Sequence, residues 1–191
     1  MITQEHLKAK LYLRKMVLDE LNELNKFLTI DKINEQFYRR LFVRDIYSII
    51  ETYLHVCKEL IKIKLVEDES QNSHISWQEL VILNEQKVFL SNSGEVKTKE
   101  EYQNFESSLR FSFNLFSKEF NTPSPDYGNN DFEKLIRLSK RRNAVTHPKS
   151  DRDMIITDQE IKEVVSALKW FMQAHNEIDK GFLKWIETRK R

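Results

Sequence analysis

The chain has 191 residues, of which only 3 are glycine and 3 are proline. An average chain of this length contains about 13 glycines and about 10 prolines. Tight turns are therefore scarce, and a many-stranded sandwich or barrel is not expected. The 31 basic and 30 acidic side chains leave a net charge of +1, so only a local patch can indicate a charged partner. The composition predicts one helical domain over residues 1–191.

The rare residue types exclude several kinds of site. Cys57 is the only cysteine, so neither an intramolecular disulfide nor a zinc site built on several cysteines can form. Gly94, Gly128 and Gly181 lie too far apart for a phosphate-binding loop or a dinucleotide fingerprint. The sequence has no apolar leader, no run of about 18 apolar residues and no H-x-x-x-H pair. We therefore expect a soluble cytoplasmic protein without a cofactor, a metal centre or membrane contact.

Apolar periodicity predicts two long helices in the first third of the chain. Residues 3–28 carry leucines at helical spacing, and residues 31–66 form a second, longer helix. The second helix has one broad apolar stripe, which consists of Phe42, Ile46, Ile49, Ile50, Tyr53, Leu54, Cys57, Leu60 and Ile61. We expect the two helices to pack against each other in antiparallel directions.

Capping boxes predict the starts of three later helices. In such a box a hydroxyl and a carboxylate satisfy the free N–H groups of the first turn. The pairs are Ser76 with Glu79, Thr98 with Glu101, and Thr157 with Glu160. Between the first two boxes, residues 87–98 have the pattern of a β-hairpin that turns at Asn92–Gly94. We predict that this hairpin belongs to an insertion at about 70–98.

The second half of the chain completes a helical bundle. A phenylalanine-rich helix is predicted over 99–120, followed by a loop over 121–130 that holds two of the three prolines. A helix over 131–147 is capped by its first residue and closed by Pro148, and a last helix starts at Asp158. The expected fold is an all-α bundle of five to six helices, with a long antiparallel helix pair and one small β-hairpin.

The end of the helix predicted at 131–147 is strongly basic. Between positions 137 and 152 there is one acidic residue, Asp151, against six basic ones: Arg137, Lys140, Arg141, Arg142, Lys149 and Arg152. A patch of this kind suits a polyanion such as RNA. Cations are also favourable at the C-terminal end of any helix, because of the helix dipole. On charge alone both interpretations stay open.

A helical wheel separates these basic residues. Arg137 and Arg141 point towards solvent, whereas Arg142 falls on the apolar side, between two buried leucines. A buried arginine is costly unless a carboxylate or a phosphate satisfies it. The polar residues of the last turn lie on or beside the same side, and these are Asn143, Thr146 and His147. The convergence of an arginine, an asparagine and a histidine predicts a site.

The pattern Arg142-Asn143-x-x-x-His147 resembles the signature of the HEPN superfamily (higher eukaryotes and prokaryotes nucleotide-binding). That signature is an arginine, usually followed by a polar residue, with a histidine four to six residues beyond the arginine. It lies late in an all-helical domain with a long helix hairpin. A second stretch, Arg44 to Tyr53, is similar to a helix of several HEPN families in which an arginine precedes a Glu-x-aromatic step. Here that glutamate is Glu51, and Ile50 stands where those families often have an aromatic residue.

The resemblance implies a metal-independent endoribonuclease. Arg142, Asn143 and His147 would be its catalytic residues, and Glu51, Arg44 and Thr146 would support them. The RNA would be bound by Arg137, Lys140, Arg141 and Lys149. Attack of a ribose 2′-OH on the phosphate would leave a 2′,3′-cyclic phosphate. The family further implies a homodimer with facing motifs, and a role as a toxin or phage-defence effector with an antitoxin or regulatory partner.

Three other interpretations remain open. In the first, the protein would be a non-catalytic HEPN protein that binds nucleotide or RNA. In the second, it would be a helical interaction module in which Arg142 pairs with an internal carboxylate such as Glu51. Glu51 and Arg44 also share one side of their helix on the wheel, so they would alternatively form a solvated ion pair away from any site.

Overall fold

The computed structural model describes residues 4–27, 31–67 and 74–188. Within these residues the chain forms six α-helices, two short 3-10 turns and one β-hairpin. In chain order the elements are α1 (Gln4–Phe27), the turn Asp31–Asn34, α2 (Gln36–Glu67), α3 (Trp77–Leu83), β1 (Gln86–Leu90), β2 (Val96–Glu100), α4 (Phe105–Phe120), α5 (Asn130–Thr146), the turn Asp151–Met154 and α6 (Asp158–Thr188). The predicted all-α bundle with one small hairpin is confirmed. The predicted insertion begins at residues 70–73, which lie outside the described residues.

Helices α1 and α2 form the predicted antiparallel pair. The Nζ atom of Lys10 lies 3.5 Å from Oε2 of Glu59, whereas Leu24, near the other end of α1, lines one groove together with Ile49. Residue numbers in α2 therefore fall as those in α1 rise. Every residue of the apolar stripe predicted for α2 is buried. No helix among the described residues has the length and apolarity to cross a membrane.

The hairpin prediction is confirmed, but one of the three predicted helix starts is wrong. Strand β1 pairs antiparallel with β2, and Thr98 lies opposite Val88 in that ladder. Thr98 therefore caps no helix, because its β-branched side chain belongs to a strand. Helix α4 starts at Phe105, and the side chain of Asn104 accepts a hydrogen bond from the N–H of Ser107. The two other boxes form as predicted: Ser76 with Glu79 and Thr157 with Glu160.

The aromatic core joins α4 to α6 at very close range. Phe116 and Phe120 of α4 pack on Phe182 of α6, with ring centroids 5.8 and 5.3 Å apart. Next to Phe182 is Gly181, and a Cβ atom built on it would lie 2.1 Å from the carbonyl oxygen of Phe120. The C-terminal end of α4 therefore rests directly on the backbone of α6.

A polar cluster crosses this core where α1, α2 and α6 meet. Arg14 of α1 forms an ion pair with Asp179 of α6, and both side chains are only 12% exposed. One turn away, the hydroxyl of Tyr53 and Nδ1 of His175 are hydrogen-bonded at 2.5 Å. Burial lowers the pKa of His175 to about 4, and the charge of Arg14 acts in the same direction. The imidazole is thus held neutral inside the protein.

His175 is expected to make the protein less stable in mild acid. In the unfolded chain its pKa returns to 6.5, against about 4 in the folded chain. Between these values the unfolded chain binds the extra proton, so the free energy of unfolding falls as the pH drops through this window. A shift of this size corresponds to roughly 3 kcal/mol at the acid end.

Urea denaturation at about pH 7 and about pH 4.5 measures this effect. His175→Gln keeps a hydrogen-bonding group beside Tyr53 but cannot titrate in this range, so its stability should fall much less than that of the unmodified chain. An equal fall in both proteins would show that the acid sensitivity arises elsewhere.

Candidate functional site

Helix α5 carries the basic segment and is fixed between α2 and α6. Its first N–H groups are capped by Asn129 rather than by Asp131 as predicted, since the Asn129 side chain accepts a hydrogen bond from the N–H of Asp131. In its middle, the hydroxyl of Tyr47 donates to the carbonyl of Leu135 over 2.6 Å. His147 is the C-cap. A buried tyrosine of α2 thus holds the part of α5 that precedes the basic segment.

Arg142 lies in the seam between α5 and α2. Its Nη2 atom forms an ion pair with Oε1 of Glu51, and its guanidinium carbon lies 5.8 Å from the centroid of the Tyr47 ring. The side chain is 22% exposed, and its Nε atom is buried without a hydrogen-bond partner. The guanidinium is therefore positioned by a ring and a carboxylate, and its Nη1 group remains available to a ligand.

Of the alternatives left open for Glu51, the solvated pair with Arg44 does not form among the described residues. Glu51 forms its ion pair with Arg142, and no ion pair joins it to Arg44 within the described residues. Arg44 acts instead on its neighbour Asp45, where burial raises the pKa of the carboxyl and the charge of Arg44 opposes that rise. Of the two predicted supporting residues on α2, the structure brings only Glu51 to Arg142.

The other motif residues face solvent instead of continuing the buried side. Asn143, Thr146 and His147 are all exposed, and the buried residue of the last turn is Val145. The Thr146 hydroxyl donates to the carbonyl of Arg142 over 2.8 Å, and the N–H of His147 donates to the carbonyl of Asn143 over 2.9 Å. The imidazole of His147 makes no hydrogen bond to any described residue. The prediction that the buried side turns polar at the helix end is thus wrong, and Asn143, Thr146 and His147 form an exposed polar rim on the last turn of α5.

Arg141 also departs from its prediction, because it does not point into solvent. Its Nε atom donates to Glu160 over 2.7 Å, and Nη1 donates to the carbonyl of Asp153 over 3.1 Å. Although burial opposes the shift, the Thr157 N–H and Arg141 lower the pKa of Glu160. Arg141 therefore ties the turn at 151–154 and the start of α6 to α5. It is a structural residue and not a free contact for RNA.

The basic surface is smaller than the sequence indicates. Arg137 pairs with Glu163 of α6 over 2.6 Å, so α6 supplies carboxylates to both Arg137 and Arg141. Lys140, Lys149 and Arg152 are exposed and form no ion pair with any residue that the structure describes. These three cations, together with Arg142, constitute the accessible positive charge around Asn143 and His147.

Tyr47 is the functional candidate that the sequence analysis missed. It lies four residues before Glu51, so both side chains project from one face of α2. That spacing was visible in the sequence, but only the packing of α5 on α2 shows that this face meets Arg142. No cluster of histidine, cysteine or carboxylate side chains with metal-binding geometry occurs among residues 4–27, 31–67 and 74–188.

Comparison of the chain with protein-family models, with curated proteins and with solved structures finds no match. The likeness to HEPN proteins therefore depends on the residues Arg142, Asn143 and His147 and on the helical frame that presents them.

Proposed function

We propose that the protein is a metal-independent endoribonuclease that cleaves RNA by attack of a ribose 2′-OH on the adjacent phosphate. The observation that carries the proposal is the placement of Arg142. A ring and a carboxylate hold this guanidinium at the end of α5, where the exposed Asn143 and His147 follow it in the chain. The spacing of these three residues is the one that resembles the HEPN signature.

The chemistry needs few groups, and the chain provides them. His147 takes the proton from the 2′-OH, because histidine is the side chain that most often serves as a general base near neutral pH. The 2′ oxygen then bonds to phosphorus while the bond from phosphorus to the 5′ oxygen breaks, and the departing 5′ oxygen takes up a proton from water. Arg142 binds the phosphate through its free N–H groups as negative charge develops. Asn143 orients the phosphate or the ribose. The products are a 2′,3′-cyclic phosphate and a 5′-hydroxyl end.

Assembly and biology are part of the same proposal. The polar rim on the last turn of α5 is exposed, so a second copy of the chain that faces it would enclose the RNA and exclude water. We propose a homodimer of this kind in the cytoplasm, acting as a toxin or phage-defence effector whose activity an antitoxin or regulatory partner restrains. These roles come from the resemblance to HEPN proteins.

One observation favours a second candidate function. The ion pair between Arg142 and Glu51 satisfies the arginine within the protein, as a purely structural role would require. In that case the chain is a non-catalytic HEPN protein that binds nucleotide or RNA, or a helical interaction module.

Cleavage of RNA in the presence of EDTA distinguishes the two candidates. The purified protein should cut total RNA with EDTA present, and the fragments should end in 2′,3′-cyclic phosphates. A substrate with 2′-deoxyribose at the cut position should resist, because it lacks the attacking hydroxyl. His147→Ala protein purified in parallel controls for contaminating nucleases. Cleavage that EDTA abolishes, or that persists in His147→Ala, would contradict the proposed chemistry.

A further inference from the structure

A groove between α4 and α5 lies outside the motif and takes no part in the chemistry above. Its volume is about 360 Å³, within the range of small-molecule sites. The lining includes Arg110 of α4, Tyr127 of the connecting loop, and Phe132, Ile136, Arg137 and Lys140 of α5. Three cations and two aromatic rings thus share one groove, in which Glu106 and Glu133 are the two acidic residues.

The guanidinium group of Arg110 is a flat, preorganised surface in this groove. Its guanidinium carbon lies 4.5 Å from the ring centroid of Phe132 and 4.8 Å from that of Tyr127. Its Nε atom donates to Glu106 over 2.9 Å, which fixes the plane of the guanidinium. The side chain is 39% exposed. Proteins bind unpaired bases of RNA by stacking them on aromatic rings or on guanidinium planes, and this guanidinium is held in place before any ligand arrives.

The groove leads along α5 to the motif. Ile136, Lys140, Asn143 and His147 follow one another at intervals of four, three and four residues, which places them along one side of α5. Lys140 lies three residues before Asn143, which corresponds to a rise of about 4.5 Å along the helix. The exposed ammonium group of Lys140 therefore stands between the groove and the rim of the candidate active site.

We propose that this groove binds one nucleotide of the single-stranded RNA substrate, next to the phosphate that is cleaved. Its base stacks on Arg110, and its phosphate contacts Lys140. This inference rests on the proposed ribonuclease function for the identity of the ligand. It adds a binding site on α4 and α5 for unpaired rather than double-stranded RNA, because a base within a duplex cannot stack on a protein surface.

Binding of a labelled RNA tests the groove separately from cleavage. The test uses His147→Ala protein, which should cut at least about 100-fold more slowly, and fluorescence anisotropy with a fluorescein-labelled, unstructured RNA about ten nucleotides long. Arg110→Lys keeps the charge but removes the stacking plane, so affinity should fall about fivefold or more. Lys140→Ala should weaken binding and reduce the slope of log K against log salt by about 0.7. The exposed Lys184 lies near the far end of α6, and Lys184→Ala should bind as the background protein does.

The outcomes separate the groove from the nuclease. Unchanged RNA binding in both groove variants would overturn the proposal that the groove binds a nucleotide, even if the unmodified protein cleaves RNA. Loss of RNA binding in both variants would support the proposed nucleotide site, even if the protein cleaves no RNA. Lys140 has no ion-pair partner among the described residues, so its variant stays informative if Arg110→Lys lowers the melting temperature. Binding of polyglutamate that needs Arg110 and Lys140, without any binding of RNA, would also overturn the proposal and indicate an acidic protein partner.

Discussion

Replacing His147 by alanine is expected to lower RNA cleavage by about 10²–10⁴-fold, the usual loss when a general base is removed. Arg142→Ala should lower it by about 10²–10³-fold, as expected for the loss of a positioned donor. Arg142→Lys should recover only part of the activity, because a flexible ammonium group is not held in one plane against Tyr47 and Glu51 as the guanidinium is. Single-turnover cleavage of a labelled RNA by matched amounts of each protein measures these changes.

Neither substitution should unfold the protein. Arg142→Ala leaves Glu51 without its partner, but the Glu51 side chain is 44% exposed and returns to water. The lost ion pair is then worth about 0–1 kcal/mol, or at most about 2–4 °C in melting temperature for a chain of this size. His147 is exposed and its imidazole has no described partner. Loss of cleavage without loss of folding is therefore the expected pattern.

The choice of control follows from the geometry of α5. Arg141→Ala is unsuitable, because Arg141 holds Glu160 and the turn at 151–154 in place. Lys184→Ala removes an exposed cation far along α6 and should change neither cleavage nor melting. Full cleavage by Arg142→Ala would assign Arg142 to a structural role and remove the proposed mechanism.

Asp179→Ala is expected to lower the free energy of unfolding by about 3 kcal/mol, because it leaves Arg14, whose side chain is only 12% exposed, without its carboxylate. The melting temperature should then fall by about 10 °C. Burial raises the pKa of Asp179, and Arg14 counteracts that rise, so each charge depends on the other. Removing both charges in Arg14→Met/Asp179→Leu should restore most of the lost stability, since a buried ion pair is often no more stable than packed apolar side chains.

Thermal melting of the two single variants and the double variant measures this coupling. Glu177 provides the matched control two residues earlier in α6, because it is about half exposed and pairs with Lys180 at the surface. Glu177→Ala should change stability by less than about 0.5 kcal/mol. If Asp179→Ala melts like Glu177→Ala, the interior pair is not what holds α1 to α6.

Helix periodicity predicted most of the fold, because the long helices are amphipathic. The stripe on α2 is buried as its 3.6-residue spacing requires. Thr98 shows the limit of local signals: its hydroxyl and the carboxylate of Glu101 have capping-box spacing, yet pairing with Val88 across the hairpin prevails. A threonine and a glutamate three residues apart occur in strands as well as at helix starts. Only pairing with a second strand shows which of the two structures forms.

The candidate site was partly predictable for the same reason. A wheel places Arg142 towards the bundle, and the structure finds it half-buried. The wheel fails for Arg141, because it represents only one helix and cannot show the turn at 151–154 that folds back over α5. The pairing of Arg142 with Glu51 spans 91 residues of sequence, and only the packing of α5 on α2 determines it.

The contact of α4 with Gly181 has a consequence for how the sequence can vary. Since even a methyl group there would overlap the carbonyl of Phe120, position 181 admits one amino acid as long as the two helices keep their present distance. Glycine inside a helix costs about 1 kcal/mol relative to alanine. A change of Gly181 to alanine would therefore stabilise α6 as an isolated helix, but it would force α6 away from α4. In genetic terms, a residue with no side chain and no chemistry is constrained here as strictly as a catalytic residue would be.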